Sequence, residues 1–376
     1  MDEFPAWVDE LRQGVRQTEW ERLGLTRPMA LERSLRYHLN RLPKEELVEI
    51  RRRLGLSGLS RLHKAELVAV LEEELPRCVR QQIEALDEVC WDIVRQVVDS
   101  RGLALIGAAI EPTVARYLRE TGLAYTGYLE GQGLAMVMPT ELLEACRPWL
   151  KSKEIRDRVS ENERLLLTIQ GHLTHYGSIR ADDLQQILQR LGFDVSAERL
   201  LDLGAGLGEA TGRFARNSVY LHDFRVLDVE RIIAEQGKHP DLDYRRLQLD
   251  EAITAGQEFI TAWSDEYEAL GQYLLDHCGL SDEEAMTAIW ALIASVNNDL
   301  SAEVVLHQLG HIGVPVRSYD EAAAVLSLIA AMRQQTRLWG LKGHTPGEAQ
   351  ELKQRPRLRI VPPPAKASPS RAVRKR

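Results

Sequence analysis

Leu31, Leu35 and Leu39 recur every fourth residue. A helical interval returns in Leu47, Ile50 and Leu54, and again in Leu67, Val70 and Leu71. Apolar residues at this interval line one face of an α-helix, whereas a strand would turn alternate members into water. Two stretches, 123–138 and 217–226, carry strand signals instead, LDYRRLQL is the last candidate strand, and from about 250 to 337 the apolar residues keep helical spacing throughout. The chain is therefore expected to be mainly α and multidomain, with small β-hairpins as its only sheet. Aromatic residues make up just 6%, and Leu, Glu, Arg and Ala recur, which agrees with a helical reading.

Local signals place the elements. The spacing predicts a helix over 28–41 and a second one behind Pro43, with Gly55 as its C-cap. A third helix is expected from about Leu62 to Leu75, ended by Pro76, which completes a helix–turn–helix hairpin. Residues 79–100 read as one amphipathic helix bearing Trp91, and 112–121 as another. Strands 123–129 and 134–138 flank Gly131–Gln132–Gly133, with Pro139 closing the second. Helices are expected at 161–175, at 181–191 and at 197–203 behind a Ser196 cap, before a strand in 217–226. Helices followed by a hairpin suggest a winged helix in the first region, and the pattern recurs in the second, where only a strand marks the wing. Further on, Ser281 with Glu284 forms a capping box, Ser301 starts a helix and Ser318 caps another.

These readings divide 376 residues into an N-terminal helix (1–26), a helical module (27–77) and two winged-helix-like modules (78–150 and 160–228). A helical domain (229–350) and a basic, proline-rich tail (351–376), expected to be disordered, follow.

Charge is distributed unevenly over these parts. Residues 27–77 carry +3, residues 78–352 carry −17, and 353–376 hold nine Lys/Arg with no acid. Phosphate attraction needs local positive charge, so nucleic acid would meet the ends and not the acidic body. The four cysteines, Cys78, Cys90, Cys146 and Cys278, form no CxxC pair, which argues against a disulfide framework or a thiol–zinc site. No apolar run reaches the ~18 residues of a membrane span, and the acidic start lacks a signal core, so a cytoplasmic location is expected.

The stretch LPKEELVEIRRRLGLSGLSRLHKAELVAVL resembles the SAP-like, Rho-factor N-terminal type of helical module, which implies binding to DNA or RNA backbones. Within it, Arg51, Arg52, Arg53, Arg61, His63 and Lys64 cluster around one turn and the following helix start, where backbone N–H groups also suit phosphate. Arg371, Arg374, Lys375 and Arg376 extend the candidate set into the tail. Two further stretches, DFRVLDVERIIAEQGKHPDLDYRRL and RQQTRLWGLKGHTPGEAQ, look like a group of bacterial proteins, several ending in a SEC-C zinc motif. That motif needs a cysteine cluster, and no cysteine follows Cys278. The resemblance brings no established activity.

One motif points towards an enzyme. LLDLGAGLGEATGRF resembles the first motif of S-adenosylmethionine-dependent methyltransferases, with Gly204, Gly206 and Gly208 against the cofactor and Asp223 on its ribose. That chemistry needs a strand before the glycines, a full helix after them and several later strands. Ser196 instead starts a helix ahead of the glycines, and about eight residues remain for the crossover. A glycine-rich loop before a wing is the favoured reading. The candidate recognition helix 197–203 offers Glu198, Arg199 and Asp202, which is acidic for a DNA groove. His172 with His175 and His307 with His311 could share helix faces, but each pair lacks further metal ligands. The expected function is a non-enzymatic nucleic-acid-binding adaptor without cofactor or metal. A protein partner would engage its acidic body. Methyltransferase activity or a purely structural interaction role are the alternatives.

Overall fold

The computed structural model describes residues 18–58, 61–106, 110–261, 263–311, 314 and 318–354. It is mainly helical, with one four-stranded and one three-stranded sheet. Most of 1–26 and all of the tail from 355 lie outside the described residues, including Arg371, Arg374, Lys375 and Arg376.

The head opens with a short strand, β1 (Pro28–Met29), where a helix was expected, because Pro28–Met29 pairs in parallel with Tyr128–Leu129. The Glu32 carboxylate accepts from the Arg33 and Ser34 N–H groups and turns the chain. Helix α1 (Leu35–Arg41) then starts at Ser34, whose hydroxyl accepts from Tyr37 N–H. Leu31 stands outside the helix at 56% exposure, whereas Leu35 and Leu39 are buried.

Helix α2 (Lys44–Arg53) follows Pro43 as expected. Helix α3 (Lys64–Glu84) overturns the expected stop at Pro76 by running straight through it. A proline inside a helix costs about 3 kcal/mol. Here the stripe Leu67, Leu71, Leu75, Val79 and Ile83 continues across the proline and is buried at every position. Val79 and Ile83 alone recover roughly 1.5–3 kcal/mol each. The single helix expected over 79–100 is correspondingly two. A break at 85–87 ends α3, and Asp87 caps α4 (Glu88–Asp99) by accepting from Cys90 N–H.

The same connectivity then occurs twice. Strand β2 (Leu103–Leu105) leads through α5 (Pro112–Glu120) to the hairpin β3 (Tyr125–Leu129) and β4 (Gly133–Val137), and β2 pairs with β4. Sheet order is β1-β3-β4-β2. Helix α6 (Thr140–Cys146) begins after Pro139 and leads to α7 (Lys153–Tyr176). Strand β5 (Ser178–Arg180) next leads through α8 (Ala181–Arg190) and α9 (Ala197–Leu203) to the hairpin β6 (Phe214–Asn217) and β7 (Tyr220–Asp223). Again the first strand pairs with the second arm, in the order β5-β7-β6. Seven residues read as part of one strand, 217–223, therefore belong to both arms of a hairpin, with Ser218 in the left-handed region at its tip.

Beyond the second sheet come α10 (Val229–Gly237), α11 (Leu249–Glu258), α12 (Asp265–Cys278), α13 (Asp282–Asn297), α14 (Ala302–His311), α15 (Tyr319–Gln335) and α16 (Pro346–Gln354). The Ser281–Glu284 capping box and the Ser318 cap form as expected. Among the described residues no helix is long and apolar enough to cross a membrane.

Among the described residues two large hydrophobic clusters form, beside two small ones around Met29 and Trp339. Of the large ones, one runs from Trp20 to Ala252 through the head and both sheet regions, and the other from Tyr267 to Leu338. The boundary expected at 77/78 falls inside α3, and α11, assigned by sequence to the C-terminal domain, lies against α7. A Cβ on Gly171 would come within 1.7 Å of the Ala252 carbonyl oxygen, and one on Gly256 within 2.1 Å of that of Leu167, so glycine lets these backbones touch.

Candidate nucleic-acid interface

The six head residues singled out by sequence sit at the C-terminal end of α2 and around the N-terminal end of α3, and the fold treats them differently. Arg61, His63 and Lys64 are exposed at the N-terminus of the 21-residue α3, where backbone N–H groups and the helix dipole favour an anion. Part of that capacity is already used. Glu66 accepts from His63 N–H at 2.7 Å, and the Lys64 ammonium donates to the Asn40 carbonyl at the end of α1, 2.8 Å away.

The arginines ending α2 are more heavily committed. Arg52 donates twice to Glu49, at 2.9 and 2.7 Å, and this pairing raises the arginine pKa and lowers that of Glu49. Arg53 reaches Glu49 at 2.9 Å and Glu120 at 2.6 Å, and lies 5.0 Å from the centre of the Tyr117 ring. Its side chain is only 18% exposed. The structure thereby takes Arg53 out of the phosphate-facing set, since two carboxylates and a ring already hold it. Arg51 is half-buried, with its Nε enclosed.

Arg52 and Arg53 instead line a cleft of about 220 Å³, together with Gln82, Tyr117, Arg199 and Gly206. The glycine motif forms its far wall. Residues 204–208 continue α9 as a wide helical turn, so the motif follows a helix and leads into a hairpin. The strand that a cofactor loop requires is not there. Each glycine has a packing reason: a Cβ would meet Leu221 at 3.2 Å on Gly204, Arg53 at 3.2 Å on Gly206 and Phe214 at 2.7 Å on Gly208. Asp223, the expected ribose ligand, is fully buried. It accepts from Arg225 N, Nε and Nη2 and from Gln170 Nε2 at 2.7–2.9 Å, which occupies its carboxylate from inside the protein.

Sequence reasoning missed this Asp223–Arg225 pair, although the two residues stand two apart at the end of β7. Arg225 also donates to the Phe259 carbonyl at 2.6 Å and so ties the second hairpin to the end of α11. The first histidine pair is likewise structural, whereas His307 and His311 are exposed with their ring centres 4.5 Å apart. His172 and His175 lie inside, and their Nδ1–H groups donate to the carbonyls of Thr168 and Gly171. Burial lowers their pKa values to about 4 and about 3. Among the described residues no group of three or more His, Cys, Asp or Glu side chains could hold a metal ion.

Comparisons with protein families, with characterised proteins and with solved structures return no match for this chain.

Proposed function

We propose that the protein is a non-enzymatic nucleic-acid-binding adaptor of the cytoplasm. The observation that carries this reading is the charge layout: a +3 head and a tail of nine cations bracket a body of −17. Arg61, His63 and Lys64, exposed at one helix N-terminus, support it by marking where a backbone phosphate would sit. The repeated strand–helix–hairpin connectivity is read as two winged-helix-like modules serving structure and protein contact. The outer side of α9, the candidate recognition helix of the second, faces the cleft it shares with Arg52 and Arg53. The acidic body engages a protein partner.

Titration of duplex DNA, single-stranded DNA and RNA over a salt series tests this. Arg61→Ala with Lys64→Ala should weaken binding and lower the log–log salt slope by roughly 0.7–0.9 per lost phosphate contact. Arg52→Ala should change it less, because Glu49 already neutralises that cation. Deleting 355–376 should reduce affinity for all sequences alike. Absence of binding to every polymer at low salt would overturn the proposal.

A further inference from the structure

A cavity of about 290 Å³ opens between α10, the C-terminal end of α13 and the turn 339–341. Its lining includes Ile232, Val296, Leu338 and Leu341. Ile232 belongs to the small cluster around Trp339, whereas Val296 and Leu338 belong to the C-terminal core. The cavity therefore lies on the seam between two separately packed groups.

The polar side of the opening has a defined chemistry. Arg231 Nη2 donates to both the backbone and the carboxylate oxygen of Asp299, at 2.8 and 3.2 Å. Arg333 approaches the other carboxylate oxygen at 3.4 Å and donates to the Val296 carbonyl at 3.3 Å. Glu235, the other acid on the wall, is paired with Lys238. Two guanidinium groups thus share one carboxylate, and one positive charge remains uncompensated beside an apolar pocket. Among the described residues the side-chain contacts of Arg231 all use Nη2, which leaves its Nε–H and Nη1–H donors available to a ligand.

We propose that this cavity binds a small apolar monoanion, a hydrocarbon body carrying a single carboxylate. The body displaces water from Ile232, Val296, Leu338 and Leu341, and the carboxylate takes the remaining Arg231 donors. A neutral molecule would leave the charge unmatched, and an amine would be repelled by the two arginines. Because the ligand touches both packed groups, it stabilises the seam by mass action.

The test uses the full chain with octanoate, octan-1-ol and octylamine as probes, followed by calorimetry and thermal melting. Octanoate should bind and raise the melting temperature, and the alcohol and amine should bind more weakly. Arg231→Met should weaken octanoate about tenfold or more, the usual size of one charge-assisted hydrogen bond, and Arg231→Lys should restore part of the loss. Hydrogen exchange on the native chain supplies a readout that needs no variant: octanoate should protect 229–237 and 296–299. Failure of octanoate to bind, equal binding of all three probes, an unchanged affinity in Arg231→Met, or protection elsewhere would each overturn the proposal.

Discussion

The N-terminal and C-terminal cores solve the same packing problem with different tolerances. In the first, α7 and α11 touch backbone to backbone through Gly171 and Gly256. Asp223 of the Asp223–Arg225 pair and the two neutral histidines, His172 and His175, are enclosed in the same region. In the second, α12 and α13 leave space for a side chain where they meet at Gly271. A Cβ on Gly271 would meet only Ile289, at 3.4 Å, and Trp290, Met286 and Tyr319 remain exposed. The difference shows that burial area alone does not describe a core. The first depends on particular atoms being absent or neutral, whereas the second leaves space at Gly271 and fixes a few buried polar pairs such as Tyr267 with Thr336.

The largest expected effect tests the tight crossing. Gly171→Val should leave the N-terminal core unfolded, since a side chain cannot share space with the Ala252 carbonyl. Even a milder overpacking costs about 1–3 kcal/mol. Hydrogen exchange should then show lost protection across 153–176 and 249–258. A variant that keeps that protection breaks the contrast between the cores.

A smaller effect comes from acid. His38, His172 and His175 are buried with pKa values lowered by desolvation to about 4, 4 and 3. The unfolded chain takes up these protons near pH 6.5. The stability of the neutral form is therefore complete above that pH and declines as pH falls towards 3–4. The slope is up to about 1.4 kcal/mol per histidine per pH unit. Urea denaturation followed at pH 7, 6 and 5 should show this steep loss, and His172→Gln should flatten it. A stability that stays level from pH 7 to 5 would remove the neutral histidines from the argument.

The smallest expected effect has the opposite sign. Gly271→Ala within α12 should stabilise the C-terminal core by about 0.5–1 kcal/mol, because the helix gains propensity without a clash. Thermal melting compares it with the wild type. A loss of the same size would show that the second core is as tightly specified as the first.

What was legible in the sequence follows the range of the interaction. The Ser196, Ser281 and Ser318 caps each act on a backbone N–H three residues away, and all three helices start where these serines stand. The turn at Gly131–Gln132–Gly133 joins strands that pair in the expected antiparallel sense. The candidate interface was legible only in half. Arg61, His63 and Lys64 project from a helix start that the local pattern already marked. The commitment of Arg53 was hidden because its partners Glu120 and Tyr117 lie more than sixty residues away in sequence.

The sequence by itself therefore determined the helical class, the first hairpin, most helix starts and the opposition of basic ends to an acidic body. Each of these depends on periodicity, on a cap or turn within one helical turn of its partner, or on charge that needs no geometry. Tertiary structure alone decided that α3 continues through Pro76, that the head shares one core with both sheet modules, and that the glycine motif is a packing surface. It also decided that Asp223 faces inward. These outcomes turn on which distant surfaces are buried together, and burying an apolar stripe can offset a local preference of about 3 kcal/mol.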